Sequence, residues 1–295
     1  MDITCTLAAV LFFAANMLTI IYNAQESRRE HYNEALQKQF DPNYIQQEWD
    51  WRTGKRPLYL AASIINALAW FSFTFPIIQL AWVLSNRGKQ RVGMHIAIAA
   101  LAVAGSFTEW IARFLYIGSS MATKLMTDEF NLKNWLTDTS DDELGWRTVE
   151  LVNYVSTGLY WYVDAFEWLA FFFIMIMVHV SVNDWRRSDK TTFSNFWNGL
   201  CLFIALFSIL DFIAEILRLK QFKTFNQIAF WYAAANRMVF IPIWLILLGL
   251  RLPLAAAKIT QNRASYEQDP NGDFTGSTPN IRVNDEGGNP SPGSS

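Results

Sequence analysis

Charged side chains lie inside segments of this sequence that are apolar enough to cross a bilayer. The run from residue 92 to residue 118 is largely apolar, yet it contains Glu109 and Arg113 within "SFTEWIARFLY". On a helix these two residues are neighbours one turn apart, with the acid before the base. A charge at the centre of a membrane costs at least about 2.5–3.5 kcal/mol on insertion scales. The pair therefore predicts either an internal ion pair or a polar site inside the membrane.

Other apolar segments carry polar residues at comparable depths. Depth follows from a rise of about 1.5 Å per helical residue, counted from the face that carries the long loops. The residues predicted near mid-membrane are Asn66, Glu109, Glu167 and Arg237, and those predicted nearer that face are Arg113, Asp164 and Asp211. Spacings of three or four residues put the acids of each helix on one stripe that can face the interior of a bundle. These seven residues form the candidate ligand-binding or proton-coupling site.

The candidate site contains more acids than bases. Its acids are Glu109, Asp164, Glu167 and Asp211, and its bases are Arg113 and Arg237. If all were ionised, two negative charges would remain in surroundings of low dielectric, which do not tolerate uncompensated charge. Either some of the carboxylates hold protons or a cation occupies the site. We expect Glu167 and Asp211 to be the surplus pair, because Glu109 already has a base on its own helix.

A purely structural interpretation of the same residues is also open. Glu109 would pair with Arg113 on its own helix, and Arg237 would neutralise either Glu167 or Asp211 to tie helices together. Arg237 has no acid within its own apolar segment, so its partner must come from another one.

The whole composition is that of a membrane protein. The chain has 295 residues, of which 52% are hydrophobic, 16% are aromatic and only 17% are charged. Six stretches are long enough to span a bilayer, at approximately 3–23, 58–84, 92–118, 158–183, 194–217 and 228–254. The predicted fold is an all-α, polytopic transmembrane helix bundle over residues 1–258, in contact with the lipid bilayer.

Polar segments separate and follow these stretches. Residues 26–40 are predicted to continue the first helix until "DPN", and the acidic 119–148 connection contains a short helical piece near residues 128–136. Ser140 and Glu143 form a capping box at the start of a long fourth helix. Residues 259–295 are rich in Gly, Pro, Ser and Asn and are predicted to be a disordered polar tail.

Two stretches of the sequence resemble each other. "SFTEWIARFL" at 106–115 aligns without gaps on "SILDFIAEIL" at 208–217, which matches Glu109 to Asp211. The preceding helices share "LAWF" at 68–71 and "LAFF" at 169–172. This similarity predicts a duplicated two-helix unit, with both copies running in the same direction.

The orientation of the chain in the membrane can be predicted from the loops that connect the spans. Six spans place both termini on one side, and the short basic loops "SNRGKQR" and "NDWRRSDK" predict that this side is cytoplasmic. A net charge of −2 and a pI of about 6.0 provide no basic surface for nucleic acid. The sequence does not identify the membrane.

Enzyme chemistry is less well supported by the sequence. It contains no Gly-rich phosphate loop, no Gly-x-Ser-x-Gly elbow and no His-Glu-x-x-His motif. His95 and His179 could ligate a haem, and the acids of the fourth and fifth spans could hold Mg²⁺ for a diphosphate substrate. Neither pattern establishes a cofactor or metal.

The sequence therefore favours a transporter-like or sensor-like membrane protein that binds a proton, a cation or a small polar ligand. A structural or assembly protein with paired intramembrane charges is the alternative. A membrane enzyme that uses a carboxylate-bound metal comes third.

Overall fold

A computed structural model describes residues 2–33, 42–86, 92–129, 140–188, 192–218 and 230–268. Over these residues the structure is helical and has no strand, which confirms the all-α prediction. Five helices are α1 (Ile3–Asn33), α2 (Pro42–Ser85), α3 (Val92–Glu129), α4 (Ser140–Ser188) and α5 (Asn195–Arg218). The last helix, α6, consists of residues 230–235, a π-helical turn at Asn236–Phe240 and the α-helical segment Ile241–Gln268.

Six segments of these helices are long and apolar enough to cross a membrane. They are Ile3–Ile21, Pro57–Ser85, Val92–Ser119, Gly158–Asp184, Asn195–Ile216 and Phe230–Gln261. The first five agree with the predicted spans to within two residues at each end. The last continues to Gln261 rather than residue 254, because the helix passes Pro253 without ending. The chain is thus an integral, multi-pass membrane protein.

The polar parts of the chain are more helical than the sequence suggested. The continuation of α1 past the membrane is confirmed as far as Asn33, and α4 begins at the predicted Ser140. The segment "QQEWDWRTGKRP", which lies between the first two predicted spans, belongs largely to α2. Helix α6 extends to Gln268, inside the segment predicted as a disordered tail, and residues 269–295 lie outside the described residues. Most of the short helix predicted near 128–136 also lies outside them.

Consecutive helices pack against each other, and α1 also packs against α6, which closes the bundle. Helix α2 contacts α4 and α6 in addition to its sequence neighbours. The core where these helices meet is aromatic: the Trp70 ring makes edge-to-face contacts with Phe12, Trp168 and Phe171 at centroid distances of 5.3–6.3 Å. Large apolar side chains also point outward from the helices, as expected for surfaces in contact with lipid.

The N-terminus is fixed against α6. The Asp2 amide donates to the Gly249 carbonyl oxygen at 2.9 Å, and the Asp2 carboxylate accepts from the Thr4 amide at 2.8 Å, which caps α1. A Cβ atom added to Gly249 would come within 2.9 Å of the Cys5 Cβ atom. Gly249 therefore permits the close approach of α1 and α6.

The predicted duplication stays a prediction, although α2 and α4 have similar burial patterns. Nine buried positions of α2 each have a buried counterpart 101 residues later in α4, namely Ser63, Asn66, Ala67, Trp70, Phe73, Thr74, Ile77, Leu80 and Ala81. Two of these pairs are polar in both copies, since Ser63 corresponds to Asp164 and Asn66 to Glu167. On α3 and α5, buried Glu109 corresponds to buried Asp211.

Candidate functional site

One part of the site is built around Glu109 on α3. Its Oε1 atom accepts a hydrogen bond from the Arg113 Nε at 2.5 Å, across one turn of the same helix. The Asn66 side-chain amide on α2 donates to the same oxygen. Glu109 is fully buried, so these contacts supply the compensation that water would otherwise give. The pairing of Glu109 with Arg113 was predicted from their spacing.

Arg113 also connects α3 to α4. Its NH2 group lies 3.0 Å from the Asp164 Oδ1, and its NH1 group donates to the Tyr160 hydroxyl. The guanidinium carbon is 5.1 Å from the centroid of the Tyr160 ring. Arg113 therefore binds one acid on its own helix and a second acid on α4, in the fork geometry that arginine favours.

A second ion pair joins α6 to α4. The Arg237 NH2 group lies 2.8 Å from the Glu167 Oε1, and its guanidinium carbon stands 4.2 Å from the centroid of the Trp168 ring. A cation over an indole face is a favourable arrangement, more so where water is excluded. This pair confirms that the partner of Arg237 comes from another helix, and it selects Glu167 rather than Asp211.

The two ion pairs meet at their carboxylates. One oxygen from each of Glu109, Asp164 and Glu167 lies within 4.8 Å of the others, and all three residues are buried. Three carboxylates and two guanidiniums leave one negative charge within this cluster. Three such oxygens could hold a metal ion, but Arg113 and Arg237 already bind an oxygen of each carboxylate, so a divalent ion would be placed beside two fixed positive charges. A single positive charge, such as a proton, fits better.

Several buried oxygens in this region lack a hydrogen-bond donor. Among the described residues they include the second carboxylate oxygen Oε2 of Glu109, the Oε2 of Glu167 and the amide oxygen of Asn66. An unsatisfied buried polar atom typically costs about 1–3 kcal/mol, and more when it carries charge. The ion pairs therefore do not complete the hydrogen bonding of the cluster.

Asp211 on α5 has a different environment. It is 2% exposed, and neither of its carboxylate oxygens has a donor within hydrogen-bond geometry among the described residues. Its strongest attraction to an opposite charge is to Arg237, whose guanidinium is directed to Glu167. Of the surplus pair predicted from the sequence, Glu167 is bonded to Arg237, whereas Asp211 forms no ion pair with a base among the described residues.

The π-helical turn places α6 residues at this site. The Asn236 amide nitrogen donates to the Ser208 hydroxyl at 3.1 Å, one turn before Asp211 on α5. The Ile241 amide donates to the Asn236 carbonyl, one residue further back than in an α-helix. Pro242, which has no amide hydrogen, follows directly. Such turns are frequent at functional sites in helices.

The structure brings Asn66, Glu109, Arg113, Asp164, Glu167 and Arg237 into one connected network, with Asp211 beside it. Sequence reasoning did not predict Tyr160 as a partner of Arg113. It missed Trp168 and Asn236. Their positions next to Glu167 and Arg237 in the sequence were the available signal.

The two histidines considered as haem ligands are engaged elsewhere. The His95 Nε2 lies 3.1 Å from the Ser181 hydroxyl. The His179 Nδ1 lies 3.0 Å from the Asn198 carbonyl oxygen, and its Nε2 lies 3.1 Å from the Asn183 amide nitrogen. These contacts connect α3 with α4 and α4 with α5, so they support a packing role for both imidazoles.

Comparison of the chain with known protein families, with curated proteins and with solved structures finds no match.

Proposed function

We propose that this membrane protein is a transporter-like protein that couples the binding of a small cationic or polar ligand to a proton held at the Glu109, Asp164 and Glu167 cluster. The observation that carries the proposal is the proximity of three buried carboxylates with only two guanidiniums between them. The remaining negative charge lies where water is excluded, so a positive charge must compensate it.

The unsatisfied oxygens indicate where that charge would sit. The Oε1 atoms of Glu109 and Glu167 accept from Arg113 and Arg237, and the Oε2 atom of each has no donor in the part of the chain that the structure describes. A proton shared between these two carboxylates would supply the missing donor and remove the excess charge. When this proton leaves, the cluster regains a negative charge that attracts a cation, so the proton and a cationic ligand would compete for it.

A structural role is the competing function, and the closed ion pairs favour it. Arg113 ties α3 to α4, and Arg237 ties α4 to α6, as expected of a scaffold that fixes helix register. A purely structural role requires neither a third carboxylate in the cluster nor unsatisfied oxygens beside the ion pairs. This is why we favour the binding function.

The first test detects the proton itself. Infrared difference spectra of the purified protein in nanodiscs, recorded between neutral and mildly acidic pH, report the carbonyl stretch of protonated carboxylic acids. We expect a band from a buried acid in the parent protein that is absent in Glu167→Gln, because an amide can donate to Glu109 without a proton. Asp184→Asn is the matched control, since Asp184 lies at the end of the fourth span, outside the cluster.

The proposal fails if Glu167→Gln leaves both the infrared band and the proton uptake of the protein unchanged. Greater stability of the variant in that case would identify the cluster as structural. Retention of the band in Asp184→Asn together with its loss in Glu167→Gln would support the shared proton.

A further inference from the structure

Three tyrosine rings from three helices form a continuous row near the long-loop face of the bundle, where α2 and α4 enter their spans and α3 leaves its span. They belong to Tyr59 on α2, Tyr116 on α3 and Tyr160 on α4. The ring centroids of Tyr59 and Tyr116 are 4.1 Å apart, and those of Tyr116 and Tyr160 are 5.2 Å apart. These three rings make up the tyrosine layer.

The tyrosine layer lies over the candidate site. Each tyrosine is seven residues nearer the long-loop face than a site residue on its own helix, and these site residues are Asn66, Glu109 and Glu167. Seven residues are two helical turns, about 10 Å, and they return to the same face of the helix. The Arg113 NH1 group donates to the Tyr160 hydroxyl, so the layer is also bonded to the ion pairs below it.

The site is closer to the long-loop face than to the opposite end of the bundle. Asn66, Glu109 and Glu167 lie nine or ten residues from the long-loop ends of their spans and 17 to 19 residues from the other ends. With the rise of an α-helix, these distances are about 15 Å and about 27 Å. Acids also continue toward the nearer face, since half-buried Glu215 follows Asp211 by one turn.

The longer path, toward the opposite end, is filled by large buried side chains. An aromatic group begins one turn beyond Asn66, and its members, which are 0–1% exposed, are Trp70, Phe73, Trp168 and Phe171. Fully buried aliphatic residues continue the packing, namely Ile77, Leu80, Ile174 and Val178. An ion on this path would have to separate several packed layers, and such interiors are as dense as organic crystals. The shorter path meets the tyrosine layer instead.

We propose that the tyrosine layer is the gate of the candidate site, through which the proton and the ligand reach the three carboxylates from the long-loop face alone. This inference rests on the proposed function and adds to it the side of the membrane from which the site is loaded. Tyr116 is the moving part, because it is half-buried and makes both ring contacts of the layer. Tyr160 is buried and bonded to Arg113, so opening of the gate acts directly on an ion pair of the cluster.

Labelling of a cysteine between the gate and the cluster tests this inference in sealed proteoliposomes. Ser63 is buried on α2 one turn beyond Tyr59, and Thr74 lies three turns further along the same face, past the cluster. A small impermeant methanethiosulfonate is added to one side at a time. We expect Ser63→Cys to react slowly and only from the side on which a cysteine at Met121 reacts, and Thr74→Cys to react from neither side.

Removal of the central ring should open the gate. Tyr116→Ala should raise the labelling rate of Ser63→Cys about tenfold or more, because it deletes both ring contacts of the layer. Phe114→Ala is the matched control, since Phe114 is an exposed aromatic residue of the same helix outside the layer, and it should leave the rate unchanged. Should Tyr116→Ala fail to fold, Tyr59→Ala removes one of the two contacts and should give a smaller increase.

Reaction of Ser63→Cys from the opposite side, or equal rates with Tyr116→Ala and with Phe114→Ala, would overturn the gate. The labelling does not depend on a proton, so the two proposals can fail separately. Labelling as expected, together with an infrared band that Glu167→Gln leaves unchanged, would keep the gate as an access path and reject the shared proton. Loss of that band in Glu167→Gln, with Ser63→Cys labelled from the opposite side, would keep the shared proton and reject the gate.

Discussion

At the scale of single residues, Arg237 is the side chain on which the site depends most. Its guanidinium binds the fully buried Glu167 and covers the ring of Trp168. We expect Arg237→Ala to reduce the free energy of unfolding by about 3–5 kcal/mol, because it leaves a buried carboxylate without its partner. Reversible unfolding in mixed micelles, or the melting temperature in one detergent, measures the loss.

Arg251 provides the matched control for Arg237, since it lies on the same helix and is exposed. Arg251→Ala should change stability by no more than about 0.5 kcal/mol. Equal losses in the two variants would contradict the buried assignment of Arg237. Arg237→Lys should recover part of the loss, because it keeps the charge but not the planar fork of the guanidinium.

The sequence could predict some of these contacts and not others. The Glu109 and Arg113 pair follows from a spacing of one helical turn, which is a local property of the chain. The choice of Glu167 over Asp211 as the partner of Arg237 depends on how α6 sits against α4 and α5. Because the two acids lie on different helices, only the packed structure shows which of them Arg237 reaches.

At the scale of helices, the contact of α1 with α6 depends on a residue that has no side chain. A Cβ atom at position 249 would approach the Cys5 Cβ atom to 2.9 Å, and both atoms are attached directly to helix backbones. We therefore expect Gly249→Ala to force the two helices apart and to destabilise the protein by about 1–3 kcal/mol, as overpacking does. Thermal unfolding in one detergent measures the effect.

Gly199→Ala is the control, because a Cβ atom at Gly199 would meet nothing within 4 Å. That change should be neutral or stabilising by up to about 1 kcal/mol, the difference in helix propensity between the two residues. Adding Cys5→Gly to Gly249→Ala should restore part of the lost stability by removing the opposing atom. If the double variant is no more stable than Gly249→Ala, the steric explanation is wrong.

The positions of the helices were easier to predict than the irregular turn within one of them. Apolar runs of sufficient length identified all six spans, because the bilayer requires them. The π-helical turn at Asn236–Phe240 was not predicted, since the apolar run continues on both sides of Asn236 and Arg237 as it would in a regular α-helix. Pro242 was its only local sign, and a proline alone does not distinguish a kink from a π-helical turn.

At the scale of the whole molecule, contacts bring the start of α1 and the residues just before α5 against the second half of α6. The Asp2 amide donates to the carbonyl oxygen of Gly249 in α6, and the Lys258 Nζ lies 3.1 Å from the Thr192 hydroxyl, three residues before α5. Because an even number of spans separates the short basic loops from the start of α1, we expect them on the same side of the membrane, and their charge predicts that this side is cytoplasmic.

Labelling of single cysteines tests this arrangement. Cysteines at the exposed positions Asn86, Ser194 and Gln261 should react with an impermeant thiol reagent from one side of the membrane, and a cysteine at exposed Met121 should react from the other. The native Cys5 and Cys201 are buried, so they should contribute little background. Asn86 and Gln261 are separated by an even number of spans, so reaction of these two positions from opposite sides would reject the six-span arrangement. Reaction of the Asn86, Ser194 and Gln261 variants only in intact right-side-out cells would keep that arrangement but reverse its predicted orientation, because the basic end would then face away from the cytoplasm.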